Sequence, residues 1–224
     1  MNQRLALLFI VITLALDATG VGLIMPVMPD LIQEVEGAGL GKAAVWGGFL
    51  TTIFAVMQFI CGPTIGSLSD RFGRRPILLI SLAVMAFDYI LMAVAGTITL
   101  LIIGRIIGGI TAATQSTAAA YMADISKPED KAANFGLIGA AFGVGFVLGP
   151  LIGGTLAEFG TRAPFYAAAA LAAANFVFGY FVLPETVTDK IRRPFSWSRA
   201  NPVGAFKYIG NLPGLKKLMT ITFF

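Results

Sequence analysis

Apolar residues along this chain fall into six long runs, at positions 5–27, 44–65, 77–96, 98–122, 135–157 and 163–183, separated by short polar stretches. A helix needs roughly 20 apolar residues to cross the hydrocarbon of a bilayer, and each run meets that length. Connections this short force neighbouring helices to run antiparallel and leave no room for a domain outside the membrane. The pattern therefore predicts an all-α membrane protein whose residues 1–183 form a six-transmembrane-helix bundle. Residues 184–217 read as a basic cytoplasmic linker lying on the membrane surface. A seventh apolar run opens at 218 and is interrupted at 224. The first run is a retained helix and not a secretory leader, because its apolar pattern continues through Gly22–Met28 and five more spans follow.

Composition agrees with lipid as the main solvent: 57% of the 224 residues are apolar and only 12% are charged, with a mean hydropathy of +0.82. That is more apolar surface than a water-soluble core of this size buries. The net charge of +4 does not indicate nucleic acid, because the basic residues are scattered over loops without interleaved aromatics. Their distribution reports topology instead. Arg4, Arg71, Arg74, Arg75, Lys127, Lys131, Lys190, Arg192, Arg193, Arg199, Lys207, Lys216 and Lys217 fall at one end of the bundle, and only Lys42 and Arg162 at the other. Basic residues flanking spans are held in the cytoplasm, so the N-terminus is expected there.

The chain also repeats itself. GPTIGSLSDRFGRRP from Gly62 and GPLIGGTLAEFGTRAP from Gly149 share GPxxG, an acidic residue, then Phe-Gly, Arg and Pro, at an offset of about 88 residues. Three spans separate the copies, an odd number, so they lie in opposite orientation. This is the arrangement of transporters built from inverted-topology repeats. The same offset relates Asp17 in the first span to Arg105 in the fourth, each followed three residues on by a glycine, Gly20 and Gly108. The repeat thus predicts that Asp17 and Arg105 meet near the bundle axis.

Charges inside spans point to chemistry, because each costs about 2.5–3.5 kcal/mol on insertion scales. Asp17 and Asp88 lie near the middle of their spans. A carboxylate in an apolar cavity can load and release a proton, and with no histidine in the chain carboxylates are the candidates for proton coupling. Arg105 keeps its charge and must face a carboxylate, a cavity or an anion. The structural alternative is an ion pair that only fixes packing. In the loop GSLSDRFGRRP, the residues Gly66, Asp70, Arg71, Gly73, Arg74 and Arg75 combine a tight turn with an acid among arginines, and read as a cytoplasmic latch that engages in one conformation. In GFVLGPLIGG, the residues Gly145, Gly149, Pro150, Gly153 and Gly154 allow close helix approach, with Pro150 a point of bending.

The GSLSDRFGRRP loop resembles the signature between the second and third helices of the major facilitator superfamily, and GFVLGPLIGG resembles that superfamily's antiporter motif. LPET at 183–186 is a further shared feature. LDATGVGLIMPVMP from Leu16, FDYIL around Asp88 and GRIIGGITAAT from Gly104 resemble the bacterial tetracycline–proton antiporters within it, TetA-like drug efflux proteins. The resemblance implies the N-terminal half of a twelve-helix fold. It assigns Asp17 and Asp88 to proton coupling and drug binding, Arg105 to their support, and Asp70 with Arg74 to gating. Gln58, Thr114 and Gln115 become pore-facing polar contacts. Protons are then the coupling ion, with no other cofactor and no bound metal of the protein's own, and the drug travels alone or as a metal-cation chelate. The partners are the small-molecule drug, the bilayer and a C-terminal six-helix half.

The TQSTAAA run from Thr114 is more polar than the resemblance leads one to expect, and the SWSRANPVGAFK linker is associated with a broader group of related drug transporters, so the cargo stays open between tetracycline and another drug or metabolite. A non-transporting six-helix membrane partner is the remaining alternative. A channel needs a filter loop, and an enzyme needs a nucleophile or metal ligands. No filter-like loop appears, and a single Cys61 inside the second span with no histidine leaves most such catalysis without its parts, so a membrane transporter and not an enzyme is expected.

Overall fold

A computed structural model describes residues 3–37, 39–112, 114–189 and 192–210. The apolar run expected at 218–224 lies outside the described residues, as does part of the linker. Among the described residues the secondary structure is helical: α1 (Gln3–Ile24), α2 (Met28–Glu36), α3 (Leu40–Phe72), α4 (Arg74–Val94), α5 (Ile98–Thr111), α6 (Thr114–Ile125), α7 (Lys131–Ala157), α8 (Ala163–Val182), α9 (Trp197–Ala200) and α10 (Pro202–Gly210). Six stretches are long and apolar enough to span a membrane, formed by α1, α3, α4, α5 with α6, α7 and α8.

The first span departs from the continuous helix that the apolar pattern predicts. It ends at Ile24, and the short helix α2 resumes from Met28 with proline in its first turn. The Met-Pro-Val-Met-Pro sequence is responsible, because each proline lacks the N–H that helix continuation needs. The fourth span comprises α5, Ala112, whose amide donates to the Gly108 carbonyl at 2.8 Å in continuation of the helix, and α6 from Thr114. Thr111 and Thr114 turn their hydroxyls back onto the carbonyls of Gly108 and Thr111, a bond threonines commonly make inside helices.

Packing follows the symmetry of the repeat. The first span lies mainly against α7, the fifth span; its inverted equivalent, the fourth, lies through α5 against α3, the second. The third and sixth spans, α4 and α8, pack on each other across the pseudo-symmetry axis. The chain is thus a bundle of two inverted three-helix units, as the offset of 88 predicts. Two apolar clusters form its interior. One contains Leu23, Leu31, Ile32, Leu50, Met92, Leu101 and Phe165. The other contains Phe9, Ile10, Leu14, Leu78, Leu82, Tyr121 and Met122 and lies toward the end that carries the basic loops, hereafter the basic end. Buried polar groups collect between them, including Thr13, Asp17, Asp88, Arg105 and Asn175. Asn175 donates to the Thr13 hydroxyl at 2.9 Å, tying α8 to α1.

Beyond the sixth span the chain turns back along α3. The Thr64 hydroxyl donates to the Ala200 carbonyl at 2.6 Å. Arg192 donates to the carbonyl of Arg71 at 3.0 Å, and the Arg193 amide to that of Asp70 at 3.3 Å.

Candidate functional site: a charged layer inside the bundle

A cavity of about 570 Å³ opens on one face of the bundle, walled by α1, α3, α4, α5, α6 and α7 and reaching the lip formed by Met25, Met28 and Pro29. Apolar and aromatic side chains, among them Leu50, Phe54, Phe142 and Phe146, supply most of its surface. Its polar groups are few: Asp17, Gln58, Asp88, Arg105 and Gln115, with Thr51 and Thr111. A largely apolar wall with a small number of convergent charges suits an amphipathic small molecule.

Asp88 is the most deeply buried of the three charges at 1% exposure, against 7% for Asp17 and 9% for Arg105. The expected meeting of Asp17 with Arg105 is replaced by a different pair. Arg105 faces Asp88, with Nη2 3.9 Å from Oδ2, and its guanidinium lies over the Phe54 ring at 5.4 Å. Asp17 lines the same cavity without an ion-pair partner among the described residues. The repeat relates Asp17 to Arg105 by symmetry, but the span that crosses the axis beside Arg105 is α4, which carries Asp88. Asp17 Oδ1, Asp88 Oδ1 and Arg105 Nε have no hydrogen-bond partner among the described residues. Buried charged groups with spare hydrogen-bonding capacity are costly unless a ligand, proton or water engages them.

Glycines make room for this arrangement. A Cβ on Gly108 would lie 2.7 Å from Asp88 Oδ2, and one on Gly104 3.1 Å from Oδ1. On the first span a Cβ on Gly20 would run into the Tyr89 hydroxyl. The two glycines that follow Asp17 and Arg105 in the repeat thus hold open the space occupied by consecutive residues of α4.

Gln58 and Gln115 reach the cavity, as their helical positions suggest. Thr114 does not: it is buried, with its hydroxyl on the Thr111 carbonyl.

At the basic end, Arg74 joins three elements. It pairs with Asp70 one turn back on α3, its Nε lies 3.2 Å from Asp124 Oδ2 at the end of α6, and its Nη1 donates to the Ser69 hydroxyl at 2.6 Å. Gly73 permits the turn with φ of 113°, a left-handed conformation that glycine alone adopts readily. Gly66 is not sterically demanded, since a Cβ there meets only Ser116 Oγ at 3.8 Å. Arg75 donates to the Tyr180 carbonyl at 2.8 Å, whereas the Arg71 side chain lies over the Phe72 ring outside the network.

Glu185, in the LPET segment, closes the cluster. Its carboxylate accepts from the Arg74 amide at 2.9 Å and the Arg75 amide at 3.2 Å, capping the start of α4, and from the amides of Thr186 and Val187. Asp124 accepts in addition from the Thr186 hydroxyl at 3.0 Å. Sequence alone does not single out Asp124, because it lies just past the apolar part of its run, where acidic residues are unremarkable; its repeat position, 88 residues from Glu36, is the available signal. Removing the Glu185 cap leaves two helix-start amides without an acceptor. Glu185→Ala is expected to destabilise the protein by about 1–2 kcal/mol, measured as a lowered midpoint of thermal unfolding in lipid nanodiscs.

The antiporter-motif glycines lie against the first span. A Cβ on Gly145 would approach the Ala15 carbonyl to 2.5 Å, one on Gly149 the Thr19 carbonyl to 2.7 Å, and one on Gly153 would be closer still to that of Leu23. These residues repeat every four positions on both helices, so one face of α7 lies against one face of α1 at backbone distance. Gly154 is off that face and meets nothing. α7 continues as a single helix through Pro150, whose ring lies beside Gly22.

The sequence matches the Major Facilitator Superfamily over residues 10–224. It is 44% identical over 223 residues to the class C tetracycline resistance protein of Escherichia coli, covering 100% of this chain and 56% of that protein. It is 33% identical to multidrug resistance protein 2 of Bacillus subtilis over 178 residues, 79% of this chain and 43% of that one. The crystal structure of the human organic anion transporter MFSD10 (TETRAN) superposes with a TM-score of 0.80 at 27% identity, covering 97% of this chain and 60% of the other. The chain spans about half the length of the curated relatives it matches.

Proposed function

Because this chain belongs to the major facilitator superfamily, we propose that it is the N-terminal half of a proton-coupled antiporter that exports tetracycline or a closely similar drug by alternating access. The observation that carries this reading is the charged layer of Asp17, Asp88 and Arg105 in a cavity of about 570 Å³, on a chain 44% identical to a tetracycline resistance protein.

The membrane is the bacterial inner membrane, with the basic end in the cytoplasm as the loop charges dictate. A second six-helix bundle covers the open cavity face, and residues 184–217 link the two. Asp17 and Asp88 take up protons when the cavity faces outward and exchange them for cationic cargo, either a drug ammonium or a drug-chelated metal cation, when it faces inward. Arg105 stays charged throughout. It balances Asp88 while cargo is absent. The network of Asp70, Arg74, Asp124 and Glu185 fixes the cytoplasmic ends of the second, third, fourth and sixth spans into one rigid edge that docks and releases as the halves rock.

The test is transport by the complete protein in everted inner-membrane vesicles. A proton gradient is expected to drive tetracycline accumulation, and collapsing the gradient with an uncoupler to abolish it. Accumulation of unrelated drugs without tetracycline would reassign the cargo, and accumulation indifferent to the gradient would overturn proton coupling.

A further inference from the structure

The opposite end of the bundle carries a charged cluster that the latch motif does not include. Arg162, in the turn between α7 and α8, donates through Nε and Nη2 to Glu34 Oε1 at 3.2 and 3.0 Å, and through Nη1 to the Ala93 carbonyl at the end of α4, at 2.7 Å. Thr161 donates to Glu34 Oε2 at 2.5 Å. The Thr161 hydroxyl and then the Arg162 guanidinium hold the Glu34 carboxyl below the usual carboxylate range.

This cluster is the inverted image of the one at the basic end. Gly160 has φ of 125°, as Gly73 has 113°. Arg162 binds the last turn of the third span through Ala93, as Arg75 binds the last turn of the sixth through Tyr180. Arg162 reaches an acid beyond the first span, as Arg74 reaches Asp124 at the end of the fourth. The helix it holds is α2, which sits between the turn at 25–27 and the left-handed Gly37 and which contributes Met28 and Pro29 to the lip of the cavity. Leu31 and Ile32 anchor the buried side of α2, and the Glu34–Arg162 clamp supplies its polar attachment to the α7–α8 turn.

We propose that Arg162 and Glu34 are positioning residues that clamp α2 in place as the outer lip of the cavity, so that the lip moves with the α7–α8 edge instead of swinging on its two flanking turns. Its effect on transport rests on the export reading above; the clamp itself does not. Neither residue touches the cavity, so their influence on cargo runs through the placement of Met25, Met28 and Pro29.

The experiment uses the complete protein with Cys61 replaced by serine and spin-labelled cysteines at the exposed positions Glu36 and Glu158. Pulsed electron–electron resonance is expected to give one narrow distance distribution. Arg162→Ala should broaden it, and Glu34→Gln, a mild exposed change that keeps an acceptor for Thr161, should broaden it less. Arg162→Lys should narrow it again, and the double variant should be no broader than Arg162→Ala alone. In vesicles the same variants should raise the KM for the drug by about two- to fivefold, the scale of a partly exposed ion pair, with the maximal rate unchanged. A distribution that stays narrow in both single variants, or broadening that is additive in the double, overturns the clamp. Narrowing and broadening as described in a protein that exports nothing would uphold the clamp and overturn the export reading alone.

Discussion

Asp17→Asn is expected to abolish proton-driven drug accumulation in everted vesicles while leaving the protein in the membrane with undiminished thermal stability. Asparagine keeps the size and a hydrogen-bonding oxygen but cannot exchange a proton. Asp17 has no ion-pair partner among the described residues, so nothing is orphaned by its neutralisation, and the cost of inserting its charge, about 2.5–3.5 kcal/mol, is removed. Asp88→Asn should abolish transport equally but with a different signature. It strands Arg105 in a buried site, and unpairing a buried ion destabilises by about 3–5 kcal/mol. The pair is long at 3.9 Å and the Phe54 ring still covers the guanidinium, so the lower end of that range is expected. The measurements are uncoupler-sensitive uptake and thermal unfolding on the same preparations. Transport retained in both variants would sink the proton-coupling role, and equal stability of the two would contradict the pairing of Arg105 with Asp88.

The second large effect belongs to the contact of the first and fifth spans. Gly149→Val introduces a branched side chain where even a Cβ lies 2.7 Å from the Thr19 carbonyl and 2.8 Å from Gly22 Cα. Both obstacles are backbone, which cannot rotate away as a side chain could. Overpacking of this kind costs about 1–3 kcal/mol where neighbours can shift, and more where they cannot. Loss of folded protein is therefore expected from Gly149→Val, and a lowered melting temperature from Gly149→Ala. Gly154→Ala, five residues on, meets open space and is expected to be neutral or to stabilise by up to about 1 kcal/mol, the helix-interior preference for alanine. Thermal unfolding of the three variants side by side checks the assignment, and equal sensitivity at 149 and 154 would contradict it.

These expectations draw unequally on sequence and structure. The spans were legible because crossing hydrocarbon imposes a length and a composition that a single chain displays openly. The inverted repeat was legible because two copies of one motif survive at a fixed offset, and the glycine spacing of the fifth span carries its helix face in its period of four. The burial of Thr114 was hidden, because whether a polar residue of the fourth span faces the cavity or the neighbouring helices depends on packing that its hydropathy does not record. Asp124, Glu185, Glu34 and Arg162 look like ordinary loop-edge charges until three chain segments are brought to the same place.

The sequence by itself determined that this is a six-span membrane bundle of two inverted units with three charges at mid-membrane, because hydrophobic length, repeat offset and the cost of a charge in lipid are properties of the chain. Only the tertiary structure decided that Arg105 balances Asp88 and leaves Asp17 unpaired. Symmetry relates residues on opposite sides of an axis, but which of them touch depends on the helix that crosses between them, and here that helix is α4.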